Sequence, residues 1–385
     1  MATGNRWGLL AIAWCVALNI RSSSIAVSPL LPLIKANLGL SYAQTGFLFA
    51  IPTFLMALFG MQGGRLADTI GMKQTITLGL AVLAAGSVLR ATATGYISLM
   101  VWMAVLGAGM GIASPGLTRM VKDRFSDIAG TAMGINTSGL IMGGTLASWL
   151  TVPYLLEALG SWRGTFLVWG GVACMTLLVW VIRAPARAPT GGESPVRPSG
   201  IWRDKTVWKL NVIFLGQGLI FYSLSSWLPT YYHEMGLSLE GGSLVLSIFI
   251  IASLPSSLAV PYLSDRFGGR RGSLIVSTVV LLPTIGGLTF FPLAAPRTYA
   301  VVMGLSMGSI LALTFIFPLD YVDPAKVGSA AGANLLVGYG GSFLGPFLIG
   351  LIHDLTSSFL AGWLFVAAVI VMIMTTASTL PARTR

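Results

Sequence analysis

Residues 65–71 read Arg65-Leu-Ala-Asp-Thr-Ile-Gly71, and residues 262–268 read Tyr262-Leu-Ser-Asp-Arg-Phe-Gly268. Their aspartates, Asp68 and Asp265, stand 265 − 68 = 197 positions apart. The same offset carries Leu31-Pro32 onto Leu228-Pro229 and Gly39-Leu-Ser41 onto Gly236-Leu-Ser238. An offset of 198 carries Gly130-Thr-Ala-Met-Gly-Ile-Asn136 onto Gly328-Ser-Ala-Ala-Gly-Ala-Asn334. Four matched sites at nearly constant spacing mark an internal repeat.

What repeats is apolar. The 385 residues are 55% hydrophobic and 9% charged, against about 25% charged in an ordinary soluble domain. The mean hydropathy is +0.83. Apolar runs of about 20 residues recur from Trp7 to Leu380, each long enough to cross a hydrocarbon core about 30 Å thick. About twelve such runs predict an all-α integral membrane protein. The first, Trp7 to Ile34, is too long for a signal-peptide core and is read as one retained helix. The interval 184–206, rich in Pro, Gly, Ser and Arg, reads as a cytoplasmic linker between bundles of six helices at 1–183 and 207–385. Six crossings return the chain to the side it started from, so the repeat is parallel and the pseudo-twofold axis runs along the membrane normal.

Charge sets the expected orientation. With both termini in the cytoplasm, Lys35, Arg90, Arg163 and Arg297 fall outside, Arg21 falls within the membrane, and 23 − 4 − 1 = 18 Lys and Arg remain inside, as the positive-inside rule requires. The net charge of +11 therefore belongs to topology; the basic clusters carry no aromatic stripe of the kind that binds nucleic acid. Cys15 and Cys174 lie inside apolar spans and read as small core residues, with no disulfide framework. His233 and His353 are far apart and lack a partner at ligand spacing, so no metal site is expected. No nucleophile, base and orienter are grouped in the loops, which argues against an enzyme. Trp7, Trp162 and Trp363, near span ends, read as interface anchors.

The loop Gly64-Arg-Leu-Ala-Asp68-Thr-Ile-Gly71-Met-Lys73 and its echo Ser264-Asp-Arg-Phe-Gly-Gly-Arg-Arg271 resemble the signature loop of the major facilitator superfamily. The resemblance implies the twelve-helix fold and alternating access; a carboxylate at the end of a helix can pair with cations and helix termini across the inner face, so Asp68, Lys73, Asp265 and Arg266 are expected to form a conformational latch. A solvated turn with a capping aspartate is the plainer reading of the same loops. A closer resemblance runs from Leu18-Asn-Ile-Arg21 and Ser28-Pro-Leu-Leu-Pro-Leu-Ile34 through Glu157-Ala-Leu-Gly-Ser-Trp-Arg163, Gln217, Phe221-Tyr222 and Trp227-Leu-Pro229 to Gly338-Tyr339, Gly345-Pro346 and His353-Asp354. Together these look like the cyanate permease and nitroimidazole transporter family, and the match covers nearly the whole chain. The chain departs from that family at Ser22-Ser23, Ser309, Leu335 and Arg119, and these departures bear on substrate.

Arg21 decides where the chemistry is sought. It lies about 14 residues beyond Trp7, near mid-depth, where an uncompensated guanidinium costs at least about 2.5 to 3.5 kcal/mol. All twelve acidic residues fall in loops or near helix ends, so an anionic small-molecule substrate is the simplest partner. A buried cation satisfied by helix carbonyls, Asn19 and water is the competing account. Arg21 corresponds to Gly218 in the second half, which sets it level with Gln217 and close to Tyr222, and Tyr339 reaches similar depth. Each of these polar residues alone is equally consistent with interhelical hydrogen bonding. Arg119 reads as a second anion contact, an inner gate, or a snorkelling arginine; Asn136 and Asn334 read as structural.

The expected function is transport of a small organic or inorganic anion, cyanate-like or a short carboxylate, across the cell inner membrane by a monomer that needs no cofactor. Efflux of a neutral or weakly acidic nitroimidazole-like heterocycle is the alternative, with an anion channel and a transport-fold sensor behind it.

Overall fold

The computed structural model describes residues 6–184, 201–266, 269–323 and 326–380. Among them every regular element is helical, and twelve spans are long and apolar enough to cross a membrane. The described chain falls into two compact units: Met1–Leu40 with Ile51–Glu193, and Ser41–Ala50 with Ser194–Arg385.

The first unit holds α1 (Arg6–Ile25), α2 (Leu31–Leu38), most of α3 (Tyr42–Ile70), α4 (Met72–Leu89), α5 (Tyr96–Arg124), α6 (Ala129–Leu150), the single turn α7 (Glu157–Leu159) and α8 (Trp162–Arg183). The expected single helix over 7–34 is two pieces. After Ile25 the chain makes a turn and a 3₁₀ segment, Ser28–Leu30, before α2 resumes. Pro29 explains the interruption, because it has no N–H to give the carbonyl of Ile25 and its ring collides with that oxygen. The second unit holds α9 (Lys205–Glu234), α10 (Leu239–Arg266), α11 (Arg270–Phe290), α12 (Pro296–Tyr321), α13 (Val327–Thr356) and α14 (Phe359–Ser378). Its first helix runs unbroken through the equivalent positions, where Ser226 takes the place of Pro29. Residues 185–200 of the expected linker lie outside the described residues; Asp204 accepts from Thr206 N at 2.8 Å and caps the start of α9.

The repeat seen in sequence is a repeat of packing. Within the first unit α1 lies on α6, α4 on α5 and α4 on α8; within the second, α9 lies on α13, α11 on α12 and α11 on α14. Close crossings recur at the repeat's offsets of 197 and 198. A Cβ on Gly107 of α5 would sit 2.4 Å from the Pro52 carbonyl oxygen, and one on Gly304 of α12 would sit 2.3 Å from that of Phe249. On Gly143 of α6 it would sit 2.1 Å from the Leu18 oxygen, and on Gly341 of α13 2.0 Å from that of Leu215. With only hydrogen at these positions, backbones meet and dispersion contacts multiply, which is how helices associate where the hydrophobic effect gives no preference between lipid and protein. Ser161 and Ser358 start α8 and α14 as side-chain caps.

The flanks are apolar. On α8, Leu167, Met175, Leu178 and Ile182 are exposed, as suits contact with lipid tails rather than water. Cys15 and Cys174 are exposed as well, which corrects their reading as core residues: an apolar span does not reveal which of its faces turns outward. Trp7 is exposed as an anchor should be, but Trp162 and Trp363 are buried. Trp363 meets the Tyr231 ring edge-on, with centroids 5.3 Å apart.

Ser41–Ala50 belongs to the second unit. Both carboxylate oxygens of Asp354, in the last turn of α13, accept from the first backbone donors of α3: Tyr42 N at 2.9 Å and Ala43 N at 2.8 Å. The Tyr42 hydroxyl donates to Glu234 at 2.7 Å, and its ring stacks on His353 with centroids 3.6 Å apart.

Candidate functional site

In the first unit, Asn19 and Arg21 sit on the last turns of α1, just before the interruption. Asn19 is wholly buried, and neither its amide nitrogen nor its side-chain oxygen has a hydrogen-bond partner among the described residues. Arg21 retains part of its surface. The three serines that follow, Ser22 to Ser24, are buried, and Ser22 Oγ turns back to the Asn19 carbonyl at 3.2 Å. This stretch is far more polar than the apolar runs on either side. A polar, interrupted segment within a membrane span is tolerated only where protein or water satisfies it, and transporters place ligand contacts at such segments.

In the second unit, Gln217 and Tyr222 lie on α9 and are nearly buried. The Tyr222 ring meets Phe221 and Phe49 edge-on. Tyr339 is on α13, beside the point where α9 and α13 approach: a Cβ on Gly218 would lie 2.4 Å from the Gly338 carbonyl oxygen. Gln217 and Tyr339 therefore flank one crossing. Asn334 Nδ2 donates to the Thr314 carbonyl at 3.1 Å, tying α13 to α12, in keeping with the structural role expected of it.

Arg119, on α5, takes part in an ion-pair network. It pairs with Asp68, at the end of α3, and lies 3.9 Å from Asp123 one turn along its own helix. The second unit repeats the two carboxylates and changes the cation. There Arg270, the first residue of α11, pairs with Asp265 and, at 2.6 Å, with Asp320. The cations that pair with the loop aspartates here are thus Arg119 and Arg270; of the other expected latch residues, Arg266 is exposed. The residue equivalent to Arg270 is Lys73, and the residue equivalent to Arg119 is Ile316. Each half thus neutralises the same two aspartates from a different place. Sequence reading found the aspartates of the loops and missed Asp123 and Asp320, although both share the 197-residue offset.

Among the described residues no group of His, Cys, Asp and Glu is arranged to hold a metal.

The sequence profile described as Major Facilitator Superfamily matches residues 10–346. The chain belongs to that superfamily. It is a multi-pass membrane transporter of a small molecule, and not an enzyme. Among curated relatives it is 26% identical over 370 residues to the cyanate transport protein CynX of Escherichia coli (strain K12), covering 95% of each chain. It is 28% identical over 357 residues to the 2-nitroimidazole transporter of the same organism, covering 91% of this chain and 89% of that one. A crystal structure of the nucleoside transporter NupG superposes with a TM-score of 0.82 at 14% identity, covering 97% of this chain and 99% of the other; this likeness is one of fold.

Proposed function

We propose that the chain moves a small organic or inorganic anion, cyanate-like or a short carboxylate, across the inner membrane by alternating access, with Arg21 meeting the substrate's charge. The observation that carries this reading is the position of Arg21: a guanidinium within a membrane-crossing segment, still partly exposed, beside the interruption of α1. A cation at such depth is held where it faces water, protein or a ligand of opposite sign. Similarity to a cyanate transport protein over 95% of the chain supports an anionic substrate. Asn19 would add an amide beside Arg21, while Gln217, Tyr222 and Tyr339 would orient the neutral part of the solute. Arg119, Asp68, Asp265 and Arg270 belong to the conformational latch in this reading. The positive-inside distribution supports cytoplasmic termini, and the protein works as a monomer.

The second reading is efflux of a neutral or weakly acidic heterocycle, supported by the 28% identity to a 2-nitroimidazole transporter; Arg21 would then donate to a nitro group. Ligand-induced thermal stabilisation separates the two, since a ligand that binds the native state raises its apparent melting temperature. Cyanate, nitrate, formate, short carboxylates and nitroimidazoles are compared on the wild type and on Arg21→Ala. Stabilisation by one anion class that vanishes in Arg21→Ala supports the anion reading. Stabilisation by neutral heterocycles only, or indifference to Arg21→Ala, replaces it with the efflux reading.

A further inference from the structure

The first unit also buries an arginine completely within a membrane span. Arg90 opens the short 3₁₀ segment Arg90–Thr92 at the end of α4 and is wholly buried, with 0% of its surface exposed. Its guanidinium lies 4.2 Å over the centre of the Phe166 ring. Nε donates to the Ser87 carbonyl at 3.3 Å, and Nη1 donates to the Ser23 carbonyl at 2.7 Å. No carboxylate pairs with it among the described residues. Burying a guanidinium without a counter-charge is costly, so the contacts it does make are expected to matter.

The acceptor shows what they achieve. Ser23 lies in the last turn of α1, where carbonyl oxygens lose their intrahelical donors and carry the negative end of the helix dipole. A buried cation donating there ties the cut end of α1 to α4. The second half supplies the control. At an offset of 197, Pro29 becomes Ser226, Ser23 becomes Ile220 and Arg90 becomes Gly287, and α9 runs unbroken from Lys205 to Glu234. Interruption and arginine occur together in one half and are absent together from the other.

We propose that Arg90 is a positioning residue: by holding the Ser23 carbonyl it fixes the broken end of α1 and so the direction in which residue 21 points. The functional meaning of this rests on Arg21 as the anion contact, whereas the geometry does not depend on any ligand.

The test reads the position of residue 21 directly. In a chain carrying Cys15→Ala and Cys174→Ala, Arg21→Cys is labelled with an anionic methanethiosulfonate, and Thr69→Cys, at the exposed end of α3, serves as the control. Adding Arg90→Met should change the labelling rate at residue 21 by about tenfold or more, on the order expected when a charge-assisted hydrogen bond is lost, while residue 69 is unchanged. Arg90→Lys, which keeps a donor on a different stem, should fall between. In a Pro29→Ser background, where α1 can continue as α9 does, Arg90→Met should no longer alter the rate. Equal rates at residue 21 with and without Arg90, parallel changes at residues 21 and 69, or an undiminished Arg90 effect after Pro29→Ser would each overturn the proposal. Should Arg90→Met fail to fold, Arg90→Lys and Arg90→Gln give the same comparison. Because labelling needs no substrate, failure of the anion reading shows instead in the Arg21→Ala stabilisation experiment.

Discussion

Asp320 follows Asp123 by 320 − 123 = 197 residues, and each is the second carboxylate of an arginine that also holds the aspartate of its own signature loop. The first half draws that arginine from within α5 and the second from the start of α11. The two halves share the anions and differ in the cation.

The two networks differ in burial, so their arginines should differ in worth. The Asp320 side chain is 4% exposed, whereas those of Asp68 and Asp123 are 39% and 36% exposed. Arg270→Ala leaves a carboxylate buried without its cation, at a cost of about 3 to 5 kcal/mol. Arg119→Ala breaks solvent-screened pairs worth under about 1 kcal/mol. Melting in one detergent should show a much larger drop for Arg270→Ala; equal drops would contradict the burial argument.

Exchange of the cation also predicts a rescue. Arg119→Ile imitates the second half at one position and should weaken the first network. Adding Lys73→Arg supplies the guanidinium from the helix start, as Arg270 does. The double variant should recover stability lost by the single one, with a coupling of about 0.5 kcal/mol or more in a double-mutant cycle.

Glycine substitutions should divide sharply. Gly143→Ala and Gly341→Ala each force a methyl group into a backbone carbonyl of the neighbouring helix and should sharply reduce the yield of folded protein. Gly60 and Gly171 have nothing within 4 Å of the added carbon. There Gly→Ala should be neutral, or stabilising by about 0.5 to 1 kcal/mol through helix propensity. Size-exclusion profiles of the four variants decide the matter.

Asp354 caps α3 across a long sequence separation. Asp354→Ala should cost about 0.5 to 2 kcal/mol, the usual loss of a helix cap. Asp354→Asn keeps one accepting oxygen and sets an amide N–H against the other backbone donor, so it should recover only part of the loss. Apparent melting temperatures of the two variants test this, and identical values would remove the cap from the account.

Much of this architecture was legible in the sequence because its determinants are local: apolar runs of membrane length, and turn signals at a fixed offset. Arg21 stood out because a charge in such a run is costly wherever the helix points. The interruption of α1 was not legible, since Pro52 and Pro229 lie inside continuous helices and a proline alone does not announce a break. Arg90 counted only as a charge on the outer side, because its burial depends on Ser23, 67 residues earlier, and on Phe166. The true partner of Asp68 was hidden for the same reason: Arg119 is 51 residues away, and only the folded packing of α3 on α5 brings them together.

The matched crossings at Gly107 and Gly304, and at Gly143 and Gly341, separate what inheritance must preserve from what it is free to rewrite. Helix spacing here depends on side chains that are missing, and a missing side chain makes no demand on its neighbours' chemistry. Arg21 and Gly218, or Arg90 and Gly287, can therefore diverge between the halves while the scaffold stays put. A lineage built this way can change its cargo through a few substitutions along the path of the solute, with no need to reinvent the machine that moves it.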